Sequence, residues 1–170
     1  MALSFDEFVA ARLDALLRYA TVLTCDPHLA QDVVQEVLLR AQQRWPRIAE
    51  TDAPHAYVKR MVTNEYLSWR RRRAAREVAL SLPVLDAIGP VVPDPNLQYD
   101  ERDAMLARIA RLPRKQRTAV VLRYYEHYTD AEIGAVLGCR EGTVRSHLSR
   151  ALSTLRTVTR QPALSPREAL

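Results

Sequence analysis

The chain has 170 residues, 48% of them hydrophobic and 26% charged, with a formal net charge of +5. That composition suits a globular protein of one medium or two small domains, and the basic excess favours an anionic partner. No run of about 18 apolar residues is present, so no membrane span is expected. The two cysteines, Cys25 and Cys139, form no CxxC, and none of the four glycines sits in GxGxxG or GxxxxGK. A disulfide scaffold, a zinc site and a nucleotide-loop enzyme are therefore excluded.

The charge is segregated along the chain. Residues 1–50 carry 5 basic and 7 acidic groups, and residues 55–77 carry 7 and 2. Residues 78–110 carry 2 and 5, and residues 111–160 carry 10 and 4. Two basic blocks flank an acidic stretch, which solubility alone does not require.

In chain order the elements read as helices, and the fold class is all-α. Asp6, Glu7 and Asp14 near the start argue against a signal peptide. Ser4 with Glu7 forms a capping box for a first helix carrying Phe8, Leu13, Leu16, Leu17, Ala20 and Leu23 at helical spacing. Asp26-Pro27 is a cap followed by proline at the first helical position. That second helix buries Leu29, Val33, Val37 and Ala41 and ends near Trp45-Pro46. Residues 47–54 read as a polar loop. A third helix runs from about Pro54 to Arg73, with Val58, Met61, Val62 and Trp69 on one face.

Four prolines and a glycine within 78–95 suit neither helix nor strand, so an extended linker is expected over 77–95. The second domain, 96–158, opens with Asp94-Pro95 and a helix carrying Leu97, Met105, Ile109 and Leu112. Pro113 begins the next helix. Thr129 and Glu132 form another capping box, Ile133, Val136 and Leu137 an apolar face, and Gly138 a left-handed stop. Val144, Leu148, Ala151, Leu152 and Leu155 mark one side of the last helix. Two helices joined by a short glycine turn make a helix-turn-helix. Residues 159–170 read as a flexible tail.

In such a motif the second helix enters the major groove of DNA. The residues left outward are Thr143, Arg145, Ser146, His147, Ser149 and Arg150, and arginine reads guanine while serine and threonine serve several bases. Helix N-terminal amides near Arg140 and Glu141, together with Arg114, Lys115 and Arg117, can meet phosphates. His28, His55 and His127 show no ligand spacing and are expected at the surface. Cys25 and Cys139 read as packing residues. Neither a metal site nor a catalytic set stands out.

Three stretches in order carry a resemblance: "HLAQDVVQEVLLRAQQRW", "AYVKRMVTNEYLSWRRRR" and "LPRKQRTAVVLRYYEHYTDAEIGAVLGCREGTVRSHLSRAL". Together they resemble a bacterial sigma factor of the extracytoplasmic-function subgroup, of the actinobacterial type, over about residues 5–156. The resemblance implies two small helical domains: a three-helix promoter-melting domain over 1–76 and a four-helix domain with the helix-turn-helix. The first would bind core RNA polymerase and recognise and melt the −10 element; the second would read the −35 element.

By the same resemblance Asp32, Gln35, Glu36 and Leu39 would meet the clamp helices of the largest polymerase subunit. Asn64 would lie beside a pocket for a flipped −10 base, closed by residues 47–54. Lys59, Arg60, Trp69 and Arg70, Arg71, Arg72 and Arg73 would lie along the promoter DNA. From the residues alone Trp69 reads rather as packing at the bundle's end. Arg140, Thr143, Arg145, Ser146, His147, Ser149, Arg150, Arg114 and Lys115 would contact the −35 element. Acidic residues of the linker would imitate RNA phosphates. The implied partners are core polymerase, including its beta flap, and promoter DNA, with an anti-sigma factor as an optional third. No cofactor is expected, and the setting would be cytoplasmic. Other classes open on the residues are a one-piece DNA-binding regulator and an enzyme of nucleic acids. The second basic block argues against the former, and the lack of a catalytic set against the latter.

Overall fold

The Ser4 hydroxyl accepts from the Glu7 amide at 3.3 Å, and the Glu7 carboxylate accepts from the Ser4 amide at 2.9 Å. This reciprocal cap starts α1 (Phe5–Thr24). The computed structural model describes residues 3–79 and 101–160, with backbone alone over 69–79, 101–103 and 158–160. Eight helices are described: α1, α2 (Pro27–Gln43), α3 (Trp45–Ala49), α4 (Pro54–Ala79), α5 (Glu101–Ala110), α6 (Arg114–Tyr124), α7 (Asp130–Leu137) and α8 (Glu141–Arg160). The linker over 80–95, the Asp94 cap, Leu97 and the tail from 161 lie outside the described residues.

In the first domain α1, α2 and α4 converge on Phe8, Leu16, Tyr19, Leu23, Val33 and Val62, all buried. Asp26 caps α2 by accepting from the amides of His28 and Leu29. The expected polar loop after Trp45 differs from what is seen. Pro46 occupies the first turn of α3, where its missing N–H breaks no helical bond. Trp45 is buried there, its ring edge-on to Phe5 at 5.4 Å and 4.8 Å from Phe8, and its indole N–H donates to the Leu3 carbonyl at 2.9 Å. A residue that marks a helix end in sequence thus serves as a packing anchor. Helix α4 also runs past Arg73 and past the expected linker start, to Ala79.

The second domain packs α6, α7 and α8 around Leu122, Ile133, Leu137, Val144, Leu148 and Ala151. Met105, on α5, is 48% exposed. Gly138 ends α7 at φ +64, a conformation that costs glycine nothing. Gly134 matters as much for another reason. A Cβ there would sit 2.7 Å from the Cys139 carbonyl oxygen, so only glycine lets the turn fold back onto α7. The two domains touch: Val121 of α6 joins the first core, and Leu67 of α4 packs on both.

Candidate nucleic-acid interface

Helix α8 separates its faces cleanly. Val144, Leu148 and Ala151 are buried at a spacing of four and three, which places them on one stripe. Thr143, Arg145, Ser146, Ser149 and Arg150 are all exposed. Arg140 is exposed at the start of the helix, its carbonyl accepting from the amides of Thr143 at 2.9 Å and Val144 at 3.1 Å. His147 differs from this set. It is half-buried, and desolvation first, then the nearby charges of Lys115 and Arg150, push its pKa below the ordinary value of 6.5.

Lys115 is exposed at the start of α6. Arg114 is half-buried, with its guanidinium 4.9 Å over the Tyr66 ring and a donated hydrogen bond to the Tyr66 carbonyl at 3.2 Å. Arg117, expected to grip phosphate, points inward. It donates to the Thr24 carbonyl at 2.8 Å and to the Leu112 carbonyl at 3.3 Å. Its work is to tie α6 to the end of α1.

On α4 the expected DNA-facing residues divide. Arg60 and Asn64 are exposed. Lys59 is not, because its ammonium contacts both carboxylate oxygens of Glu126, at 2.6 and 2.7 Å. His55, expected at the surface, is half-buried, with its pKa lowered by desolvation and then by Lys59 and Arg12. The side chains of Trp69 and of Arg70–Arg73 lie outside the described residues.

A feature not read from the sequence lies beside α3. Gln43, Arg44, Pro46, Arg47, Ile48 and Tyr57 line an open cleft of about 690 Å³. Tyr57 is 43% exposed and sits seven residues before Asn64, two turns away on the same side of α4. An exposed aromatic with two arginines is the chemistry of a base-stacking, phosphate-holding surface. The signal was available in that seven-residue spacing.

The acidic stripe on α2 is likewise on one face. Asp32, Gln35, Glu36 and Leu39 fall at spacings of three, four and seven, and all four are exposed. Leu39, at 54% exposure, borders an apolar groove of about 370 Å³ between α1 and α2, lined by Val9, Leu13, Val34 and Leu38 with Gln35 at its edge. Arg40, one residue on, bridges Glu36 at 3.3 Å and Glu65 of α4. Among the described residues no helix is long and apolar enough to cross a membrane, and no cluster of metal-ligating side chains occurs.

The comparisons with known proteins agree with this layout. Residues 8–76, covering α1–α3 and most of α4, match the family described as Sigma-70 region 2, and residues 102–155 match Sigma-70, region 4. The RNA polymerase sigma-E factor of Streptomyces avermitilis is 40% identical over 154 residues, 91% of this chain and 84% of that one. The ECF RNA polymerase sigma factor SigL of Mycobacterium tuberculosis is 34% identical over 153 residues, 89% of this chain and 84% of that one. Among solved structures, the sigma factor RpoE of Bartonella quintana, in complex with the anti-sigma factor NepR, aligns with a TM-score of 0.68 at 26% identity, covering 91% of this chain and 96% of that one. With a Sigma-70 match on each helical domain in the same order as in relatives of similar length, the chain belongs to the extracytoplasmic-function sigma factors of RNA polymerase.

Proposed function

We propose that this sigma factor uses three separate faces for its three tasks. The exposed face of α8, with Arg145, Ser146, Ser149 and Arg150 and with Thr143 and Arg140 at its start, reads the −35 element. Lys115 and Arg114 hold phosphate beside it. The single observation that supports this most is the division of α8 into a fully buried apolar stripe and a polar, basic outer face. That face is what a recognition helix requires in the major groove.

The α2 stripe of Asp32, Gln35, Glu36 and Leu39 binds the clamp helices of core polymerase. Its exposed leucine beside an apolar groove gives that contact a hydrophobic centre with an acidic rim. Asn64, Arg60 and Lys59, with Trp69 and Arg70–Arg73 further along, serve the −10 element. The cleft at Tyr57, Arg44 and Arg47 holds the extruded base, whose release from the duplex costs a few kcal/mol.

The protein performs no reaction of its own; it directs the polymerase's reaction to a promoter, and works in the cytoplasm. The B. quintana relative is held by an anti-sigma factor in its structure, and an inhibitor of that class is proposed for this chain too. The test is reconstituted transcription. Purified protein added to core polymerase and a matched promoter should give initiation at one start site. A band shift of DNA alone without initiation would leave only a DNA-binding regulator.

A further inference from the structure

His147 breaks the pattern of its helix. Arg145, Ser146, Ser149 and Arg150 around it are exposed, yet its ring is half-buried. Its Nδ1 is sealed from solvent and has no hydrogen-bond partner among the described residues. A buried N–H without an acceptor is costly, so the free ring keeps its single proton on Nε2. That nitrogen is the one left to meet a ligand.

The surroundings of the ring are cationic. Lys115 acts on it from α6, and Arg150 from one helical turn further along α8. Both of these side chains are exposed. The acids on the elements around the ring are placed otherwise. Asp130 of α7 pairs with Arg123, and Glu132 closes the Thr129 cap. Glu141 stands six residues before the ring on α8, and α5 contributes Arg108, a further cation. Desolvation and the charges of Lys115 and Arg150 together hold the pKa of the free ring below 6.5. Two cations beside a ring that cannot afford a third charge make a place for an anion.

We infer that Lys115, His147 and Arg150 form one site for a backbone phosphate of the −35 duplex, and that His147 takes up a proton from solution as that phosphate binds. The inference rests on the proposed reading of the −35 element by α8; what it adds is the proton. The cost of a sealed Nδ1–H is the same with and without DNA. What DNA changes is the field, because a polyanion neutralises the two repelling cations and then favours the charged ring. The bound ring therefore holds its proton to a higher pH than the free ring. Between those two midpoints binding consumes protons. Affinity gains from the charged ring as pH falls, by at most about tenfold per pH unit for one proton, and that gain is lost as pH rises through the bound midpoint. An arginine in the same place would carry its charge at every pH.

The test begins with the full chain carrying nitrogen-15 in its histidine rings. Nuclear magnetic resonance follows each ring through a pH titration, and the signal missing from His147→Gln assigns His147. Adding a saturating −35 duplex should raise its midpoint by at least about one pH unit. Holoenzyme made with each variant is then titrated with a promoter fragment at about pH 7.5 and about pH 6. The affinity of the parent relative to His147→Gln should increase at least about threefold between the two. His147→Arg should remove this pH dependence. A neutral methylphosphonate, moved along the −35 backbone, should erase the difference between parent and His147→Gln at one position. Circular dichroism confirms that each variant is folded. An unshifted midpoint in the complex, or parallel pH profiles in the parent and His147→Gln, overturns the proton uptake. A difference that survives every methylphosphonate overturns the phosphate site. Failure of the −35 reading shows separately, as base preference and salt slope that Arg145→Ala leaves unchanged at both pH values.

Discussion

Arg40 on α2 pairs with Glu65 on α4, a carboxylate only 5% exposed, while its other reach meets the exposed Glu36. One guanidinium thus pins the acidic face of α2 to α4, the helix proposed to serve the −10 element. Removing it leaves a buried carboxylate with less compensation, which costs about 1–3 kcal/mol. Arg40→Ala should lower the melting temperature of the protein, and Arg40→Lys should recover only part of the loss, because an ammonium cannot span both acids. Thermal unfolding followed by circular dichroism measures both.

Asp32→Arg with Glu36→Arg should abolish binding to core polymerase while the fold survives. Both side chains are exposed, and surface ion pairs such as Glu36–Arg40 contribute at most about 1 kcal/mol. The check is a direct titration of core enzyme against labelled protein, beside a far-ultraviolet spectrum. An unchanged affinity would remove the α2 stripe from the proposal.

Arg150→Ala separates base reading from phosphate holding on α8. Loss of a bidentate guanine contact should cost about 1–3 kcal/mol and relax preference at one base pair. Loss of a phosphate contact should weaken all sequences alike and reduce the salt slope by about one. Arg145→Ala, five residues earlier on the same exposed face, should behave similarly. Binding to a set of promoter variants at two salt concentrations distinguishes the cases; if neither specificity nor slope moves, α8 does not enter the groove.

Gly134→Ala should damage the helix-turn-helix more than its size suggests. The added methyl would press on the Cys139 backbone carbonyl at 2.7 Å, and backbone cannot swing aside as a side chain can. A cost of about 1–3 kcal/mol is expected. Binding of a −35 duplex should fall while core-polymerase binding through the proposed α2 face persists. Equal losses in both assays would mean that the whole chain, and not the motif, had failed.

His147 gives the second domain a dependence on pH. Burial and the charges of Lys115 and Arg150 lower its folded pKa below 6.5. The unfolded chain therefore takes up the proton more readily than the folded one. The stability that goes with the neutral ring is complete above about pH 6.5 and is lost as pH falls through the folded value. His147→Gln should flatten the fall in melting temperature between neutral pH and pH 5. A parallel decline in the two proteins would show that another group is responsible.

Much of this molecule is written in local sequence. The capping boxes at Ser4–Glu7 and Thr129–Glu132, the Asp26 cap and the Gly138 stop depend on residues within four positions of one another, so spacing alone reveals them. The two faces of α8 follow from helical period for the same reason. What spacing cannot carry is which side chain meets which across the fold. Trp45-Pro46 has the local look of a helix end, yet the phenyl rings of Phe5 and Phe8, some forty residues away, make Trp45 part of the core. Arg117 and Lys59 have the charge of DNA contacts, and only the approach of α6 to α1 and α4 turns them to the Thr24 carbonyl and to Glu126. A charge's sign and reach are set by its own residue; its partner is set by the tertiary packing, because an ion pair forms with whichever opposite group the fold brings within a few ångström and shields from water.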